Sequence, residues 1–589
     1  MGRPDRASER AQATRAKVLF YIFFAFALYV AVRFYVVQVR QGASLALRGY
    51  EQRLSEIDFP AHRGAIFDRD GTPLVRSLPS QSVYATTAEI AGFGSTARAL
   101  ANVLHGPAAE QIEAALHGNA PYVQVLHKVS HDEAEAIAKL DLPGISIVPE
   151  PTGVRFVPSG RLASAVIGFT GFDENGLDGV EYSFDDVLRG TPGRMVLETD
   201  ERGSALPFAQ PRVVVAAKAG HSIALTIDSY LQYDVQRVLL ATVARWHAES
   251  GCAIVLDPAS GEVLALANAP DYDVREYARF PADARRDRCV TDVYEPGSTF
   301  KLITATAAID SGKVSLRDRF PARDELTIGG HTIHNAEDGF PASVSGTETL
   351  ENIIAYSHNV GAAEVGLRIG AATMYDAIER FGFDEATDVG LPGENAGLVP
   401  RLQDWSATSL PTMSFGHGIA VTPLALARAY AAIANGGLLM RPRILSAIYG
   451  ADGEETYRYG PEIERRVMSP ATAALLRGVL RTVVVRGTGN PTARVPGYTT
   501  AGKTGTAQIP ENGNYAAADY VASFVGFVPA ESPRYVILVK VTKPRGAFYG
   551  SVVAAPAFAQ IARMAMLHAG VLPAGPRLVR LASTSKRRL

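Results

Sequence analysis

The chain has 589 residues, of which 47% are apolar and 20% charged, enough to bury a large core in two or more folded units and too apolar for global disorder. The formal net charge of -2 offers no basic surface for nucleic acid. Two cysteines, Cys252 and Cys289, supply neither a disulfide framework nor a zinc cluster; they read as two buried, unpaired thiols, with a single bridge as the alternative.

In chain order, Arg3, Arg6, Arg10, Arg15 and Lys17 precede an apolar run that starts at Val18 and continues past Arg33 to Val39. A helix over residues 18–39 is long enough to cross the hydrocarbon core, and Arg33 near its end can snorkel to the interface. The upstream cations place residues 1–17 in the cytoplasm and everything beyond residue 40 outside. The small-residue segment Ser44-Leu45-Ala46 lies too far past the run to serve a signal peptidase, so an uncleaved anchor is expected.

Residues 40–215 are the next expected unit. Short strand-like runs such as Gly64-Ala65-Ile66-Phe67 mix there with Ala- and Glu-rich helical stretches near 86–140, broken by Gly and Pro. A second unit is expected over 216–570. Its segments 252–256 and 262–266 flank the turn Pro258-Ala259-Ser260-Gly261 and read as a hairpin. Residues 298–485 read as mostly helical, and 520–528 and 535–541 as two further strands. Strands at both ends with helices between predict an α/β (α+β) domain whose sheet is completed by distant segments. A last helix, 557–569, precedes a basic tail, 571–589, with the composition of a disordered end.

Three short motifs carry chemistry. Ser298-Thr299-Phe300-Lys301 follows the turn Pro296-Gly297 and opens an apolar stretch that stops at Ser311-Gly312. Ser298 then sits at a helix N-terminus with Lys301 one turn on, on the same face. A serine hydroxyl becomes a nucleophile only when a base takes its proton, and a lysine is a base only when burial or a second cation keeps it neutral. Ser357-His358-Asn359 lies between two helix-like stretches and can point polar side chains into a cleft; a polar triplet there is otherwise a cap. Lys503-Thr504-Gly505-Thr506 begins a strand. A cation and two hydroxyls on an exposed strand suit a substrate carboxylate, and Gly505 clears the edge for a substrate backbone. Taken singly, each motif has a bland reading: a solvated helix face, a cap, a strand with a bulge. In this order, S-x-x-K, an S-D-N-like triplet and K-T-G are the trio of penicillin-binding proteins and class A β-lactamases.

The chain resembles the class B penicillin-binding proteins, and within them the septal, FtsI-type enzymes. Glu295-Pro296-Gly297-Ser298-Thr299-Phe300-Lys301 looks like the nucleophile segment, Lys503-Thr504-Gly505-Thr506-Ala507-Gln508 like the third motif, and Gly416-His417-Gly418-Ile419 with Val421-Thr422-Pro423 like a segment between motifs. Arg63-Gly64-Ala65-Ile66-Phe67-Asp68-Arg69-Asp70-Gly71 and Gly176-Leu177-Asp178-Gly179-Val180-Glu181 resemble the non-catalytic domain. Asn359, Trp405-Ser406 and Phe548-Tyr549-Gly550 look septal, whereas elongation enzymes tend to carry aspartate at the position of Asn359; Ala425 stands where the family often has glutamine.

That resemblance implies a penicillin-binding/serine β-lactamase-like transpeptidase domain with a mainly antiparallel five-stranded sheet, flanking helices and a helical lobe. It also implies an N-terminal pedestal of dimerisation type and a single transmembrane helix in the inner membrane. Ser298 would attack the penultimate D-Ala carbonyl of a peptidoglycan stem peptide, with Lys301 as base. Ser357 would relay a proton to the leaving amine, and Asn359 would position Lys301 and the substrate amide. Lys503, Thr504 and Thr506, with Gly505 between them, would hold the terminal carboxylate, and the N–H groups of Ser298 and Thr506 would form the oxyanion hole. No metal or organic cofactor is implied. β-Lactam antibiotics would acylate Ser298, and a SEDS-family (FtsW-type) glycan polymerase and other divisome membrane proteins would be partners. Arg63, Asp68, Arg69 and Glu181 read as ion pairs that brace the pedestal. The competing readings are an elongation-type transpeptidase, a D,D-carboxypeptidase or β-lactamase, and a catalytically silent scaffold. A class A β-lactamase needs a deacylating glutamate, and no E-x-x-L-N-like loop lies between Asn359 and Lys503.

Overall fold

The computed structural model describes residues 6–59, 61–104, 108–117, 122–150, 153–198, 212–336, 346–511 and 514–574. The tail expected to be disordered lies outside them from residue 575 on. Two compact units divide the chain: residues 1–61 with 191–218, and residues 62–190 with 219–589.

The first unit begins with helix α1, Arg6–Tyr35, which runs on as a π-helical turn, Val36–Arg40. It starts earlier than the apolar run because the Arg, Ala and Glu residues before Val18 are themselves good helix formers. Most of its apolar side chains, among them Phe20, Phe23 and Phe26, are exposed, and the stretch Arg10–Arg40 is long and apolar enough to cross a membrane. A helix satisfies its own backbone polar groups, so such a segment is stable in lipid without further partners. The rest of the unit is a three-stranded antiparallel sheet in the order Leu54–Phe59, Gly193–Glu198, Arg212–Val215.

The second unit is organised around a five-stranded antiparallel sheet: β1 (Ser250–Leu256), β2 (Val263–Ala269), β3 (Ala501–Glu511), β4 (Asn514–Val528) and β5 (Tyr535–Thr542), in the order β2-β1-β5-β4-β3. The helices that matter here are α2 (Ser229–Arg245), α3 (Lys301–Asp310), α4 (Leu350–Tyr356), α5 (Asn359–Ile369), α6 (Pro423–Ala434), α7 (Pro470–Arg486) and α8 (Ala555–His568). On one face of the sheet, Val255, Ile537 and Val539 pack with Leu239 of α2 and Phe558 of α8. On the other, Ile254 and Leu538 join the core of the helical lobe with Leu302 and Tyr430. Burial on both faces is why these strands read as continuous apolar runs rather than as alternation. Cys252 and Cys289 are both buried and unbridged.

Residues 298–485 are less uniformly helical than expected. After α6, Gly436 and Gly437 take φ values of 90° and 98°, and a Cβ on Gly437 would lie 2.2 Å from the Met468 carbonyl oxygen. The reversal turns the chain into four short strands, Leu438–Met440, Leu445–Tyr449, Glu455–Arg458 and Ile463–Arg466. Two of them extend a six-stranded sheet whose other members are Ser222–Leu225, Ile66–Phe67, Pro73–Leu78 and Val154–Phe156. Leu445–Tyr449 pairs with Ser222–Leu225, far upstream, which local patterning does not reveal. Residues 81–149 add a three-stranded sheet and helices with a core of their own around Val83, Leu100, Leu116 and Ile137.

A buried charge cluster ties this part together. The Arg63 guanidinium reaches Glu181 Oε2 at 2.7 Å and donates to the Glu181 carbonyl oxygen at 2.8 Å and to Asp185 Oδ1 at 2.5 Å. Arg155 Nε donates to Glu181 Oε1 at 2.8 Å, so both carboxylate oxygens of a fully buried glutamate are used. Nearby, Ser229 Oγ at the start of α2 donates to Asp68 Oδ2 at 2.6 Å, and Arg69 lies 3.5 Å from Glu262. Removing one member of a buried pair strands the other charge. Glu181→Ala is therefore expected to lower the unfolding free energy by about 3–5 kcal/mol, measured by denaturant titration of both proteins.

Candidate active site

Ser298 stands on a single 3-10 turn, Gly297–Phe300, that leads without a break into α3. The local sequence forces this turn. Gly297 takes φ 54°, and Thr299 Oγ1 donates back to the Pro296 carbonyl at 2.7 Å. From α6, Tyr430 donates its hydroxyl to the Thr299 carbonyl at 2.8 Å and fixes the turn from beneath. Ser298 is half-buried, whereas Lys301, one turn on, is 0% exposed.

The Lys301 amine donates to the Ser357 carbonyl oxygen at 2.5 Å and to Asn359 Oδ1 at 2.8 Å, and lies 3.2 Å from Ser357 Oγ. Lys503 Nζ donates to the same Ser357 Oγ at 2.8 Å. Two lysines thus converge on one serine hydroxyl. Ser357 meets them because it caps α4 in the left-handed region, at φ 67° and ψ 34°. That conformation costs an L-residue about 1–2 kcal/mol. The short loop is held by its neighbours. His358 Nδ1 lies 2.5 Å from Glu348 Oε2 with both side chains buried, and Asn359, the first residue of α5, donates to the His334 carbonyl at 3.0 Å.

β3 is an edge strand, and its alternation separates the third motif into two faces. Thr504 and Thr506 face the cleft; Thr504 Oγ1 is 2.8 Å from Thr488 Oγ1, and Thr506 Oγ1 accepts from the Gly550 N–H at 3.0 Å. Two details differ from expectation. Lys503 is not displayed on an exposed strand: it is 0% exposed, and its amine is spent on Ser357 and on the Thr504 carbonyl and hydroxyl oxygens. Gly505 does not clear the edge for a substrate. A Cβ there would lie 2.3 Å from Ser523 Oγ and 2.9 Å from Thr299 Cγ2, so its missing side chain lets the strand press against the nucleophile turn. Gly416 serves the same closure from the opposite side, where a Cβ would meet the Gly297 carbonyl oxygen at 2.2 Å.

Ser298, Ser357, Asn359, Thr504 and Thr506 line one cavity of about 370 Å³, and Lys301 and Lys503 lie beneath it. The sequence reading assigned no role to the other walls, although His417, Gln508 and Phe548 stood in segments that carried the resemblance. Tyr520 and Phe548 stack with ring centroids 4.3 Å apart, and Gln508, Asn335 and His417 complete the lining. Glu348 and Thr488 were also missed, since each matters only through a partner that folding brings to it. Among the described residues, no group of three or more His, Cys, Asp or Glu side chains could hold a metal ion. A half-exposed hydroxyl, a buried amine one turn away, a second hydroxyl between two amines and a pair of threonines on a strand are the parts of an acyl-transfer site.

Comparisons agree with that chemistry. Residues 251–563 match the penicillin binding protein transpeptidase domain, and residues 58–225 match the penicillin-binding protein dimerisation domain. The chain is 36% identical over 512 residues to the peptidoglycan D,D-transpeptidase FtsI of Escherichia coli, covering 85% of this chain and 82% of that one. It is 34% identical over 546 residues to a Pseudomonas aeruginosa protein named "Probable peptidoglycan D,D-transpeptidase PbpC", covering 92% of each. The structure of penicillin binding protein 3 from Mycobacterium tuberculosis complexed with aztreonam superposes with a TM-score of 0.67 at 31% identity, covering 89% of this chain and 99% of that one.

His417 offers a pH test. Burial, with the charge of Lys301 adding to it, pushes its pKa down to about 4. The unfolded chain takes up that proton near pH 6.5, so the stability contributed by the neutral ring is complete above 6.5 and is lost as pH falls toward 4. Asp287 runs the other way. Burial raises its carboxyl to about 6, so its contribution is present at low pH and is lost as pH rises through 6. Comparing wild type with His417→Gln removes that second effect, which both share. The stability advantage of wild type is expected to shrink by about 2–3 kcal/mol between pH 7 and pH 4, read from denaturant titrations at each pH.

Proposed function

The chain belongs to the class B penicillin-binding proteins, and we propose that it cross-links peptidoglycan stem peptides at the division septum through an acyl-enzyme on Ser298. The observation that carries this reading is the convergence of Lys301 and Lys503 on the hydroxyl of Ser357, beneath the cavity that Ser298 lines.

The chemistry follows from how the hydrogen bonds are used. A neutral Lys301 has two N–H bonds and one lone pair. The Ser357 carbonyl and Asn359 Oδ1 accept from it and hold it one turn from Ser298, whose proton its lone pair takes. The charge of Lys503 on the shared hydroxyl disfavours a second charge on Lys301. Ser298 attacks the penultimate D-Ala carbonyl, and the oxygen that becomes negative is met by the N–H groups of Ser298 and Thr506. Ser357, already bonded to both amines, passes a proton to the leaving D-Ala amine. Thr504 and Thr506 hold the terminal carboxylate, with Lys503 beneath them as the positive charge. An amine from a second stem peptide then takes the acyl group and frees Ser298. No step calls for a metal or organic cofactor.

The septal assignment rests on Asn359 in the second motif and on the similarity to FtsI. β-Lactams act here as substrate mimics, as the aztreonam-bound relative supports. The helix at residues 18–39 anchors the chain in the inner membrane with residues 1–17 in the cytoplasm, and residues 40–215 and 216–570 serve as periplasmic pedestal and catalytic domain. A SEDS-family glycan polymerase and other divisome membrane proteins are its partners.

Intact-protein mass after incubation with a penicillin tests the mechanism. A stable adduct is expected on wild type and none on Ser298→Ala; a wild type that consumes the drug without an adduct would instead be a β-lactamase. Ser357→Gly keeps the left-handed backbone at no strain but removes the hydroxyl that both amines meet, and it is expected to slow acylation at least about tenfold, read from the rate of adduct formation. Depletion of the protein in its host is the test of the septal role: long filaments support it, and round, swollen cells would assign the enzyme to elongation.

A further inference from the structure

A second cavity, of about 250 Å³, opens in the second unit away from the catalytic cleft, and it holds two buried polar groups that meet no hydrogen-bond partner among the described residues. Arg155, on strand Val154–Phe156, uses Nε on Glu181 at 2.8 Å and Nη1 on Ser77 Oγ at 2.9 Å. Its Nη2 is buried and meets no acceptor, although the side chain is only 8% exposed. Glu174 is 7% exposed, and its buried Oε1 meets no donor. Its backbone, at φ 58°, belongs to the tight turn that the Gly171 N–H closes on the Asn175 carbonyl. Burial raises the Glu174 carboxyl above its ordinary range, against the pull of Arg155, Lys128 and Arg63.

Neither unmet atom belongs to the buried brace, because Glu181 already has both oxygens engaged by Arg63 and Arg155. A buried carboxyl without a donor and a buried guanidinium edge without an acceptor each weaken the fold. Buried polar groups without partners, lining a concave site, are where a ligand can supply the missing hydrogen bonds. The wall between them is aromatic: Phe169 stacks on Tyr277 with centroids 3.9 Å apart. Phe172, 59% exposed, stands at the mouth with the Lys128 amine 4.9 Å from its ring.

We propose that this cavity binds an amide-bearing fragment of peptidoglycan, with the ligand N–H on Glu174 Oε1, the neighbouring oxygen on Arg155 Nη2 and its apolar face against Phe169 and Tyr277. The carboxyl end of a stem peptide and the acetamido group of an amino sugar both carry an N–H beside an oxygen. The identity of the ligand rests on the catalytic reading above; the existence of the site rests on the cavity. Binding here gives the enzyme a second grip on the polymer that it cross-links.

The test uses the full-length protein in detergent with Ser298 acylated by penicillin, the adduct being scored by intact mass. It is titrated separately with the tripeptide diacetyl-lysyl-D-alanyl-D-alanine and with N-acetylglucosamine, and binding is followed by saturation-transfer NMR. Saturable binding of either probe is expected, and which of the two binds names the source. Binding should weaken at least fivefold in Glu174→Met, which removes the acceptor but keeps the length of the side chain, and in Phe172→Ala, whose ring is exposed and not needed for folding. Glu174→Met should also raise the thermal midpoint, since an unpaired buried carboxyl is gone. Saturation by neither probe, or equal saturation in wild type and both variants, would overturn the proposal. The variants, not the adduct, assign binding to this cavity. Absence of an adduct therefore counts against the catalytic reading alone, and absence of binding against this one alone.

Discussion

Everything in the catalytic unit answers to one constraint: two buried lysines must share the hydroxyl of one serine. Neither amine is stable in the interior without acceptors, and Ser357 supplies them with its hydroxyl and, for Lys301, its carbonyl. To do so, it must leave the right-handed region at the end of α4. The cost of that conformation is met by the packing around it, namely the buried His358–Glu348 pair on one side and Asn359 at the head of α5 on the other. The large core is what permits a site in which polar groups are held more firmly than water could hold them.

The sheet delivers the rest of the site. Placing β3 at the edge exposes one face of Thr504 and Thr506 to the cleft while the Lys503 side chain passes to the interior. The nucleophile turn arrives from the helical lobe, where Tyr430 and the almost wholly buried α3 fix its height. The residues of the candidate site, up to 208 positions apart in the chain, therefore rest on three supports, a helix start, a helix end and a strand.

Much of this was legible in the sequence, and for identifiable reasons. Motif chemistry is local: Ser298 and Lys301 are one helical turn apart wherever that helix forms, and Thr504 and Thr506 share a face of any strand. The apolar runs of β1, β4 and β5 read as strands of one sheet completed by distant segments; that helices cover both of its faces came only with the fold. What stayed hidden depended on partners distant in the chain. The burial of Lys503 follows from where Ser357 lies, the purpose of Gly505 from the approach of Thr299 and Ser523, and the strand Leu445–Tyr449 from its pairing with Ser222–Leu225. The charges around Arg63 were read as a brace, and the Arg63–Glu181 pair is one. The unmet atoms of Arg155 and Glu174 have no sequence signature, since a buried polar group looks like any other until its surroundings are known.

The closure around the nucleophile turn also limits how this enzyme can evolve under drug pressure. Gly416 and Gly505 leave no room for even a methyl group between the turn and its two supports, so substitution at either would push Ser298 out of register for substrate and inhibitor alike. Selection that must spare cell-wall synthesis is left with the other walls of the cavity, among them Tyr520, Phe548 and Gln508. Resistance in such a protein would be gained by narrowing or reshaping access, while the reacting groups themselves stay as they are.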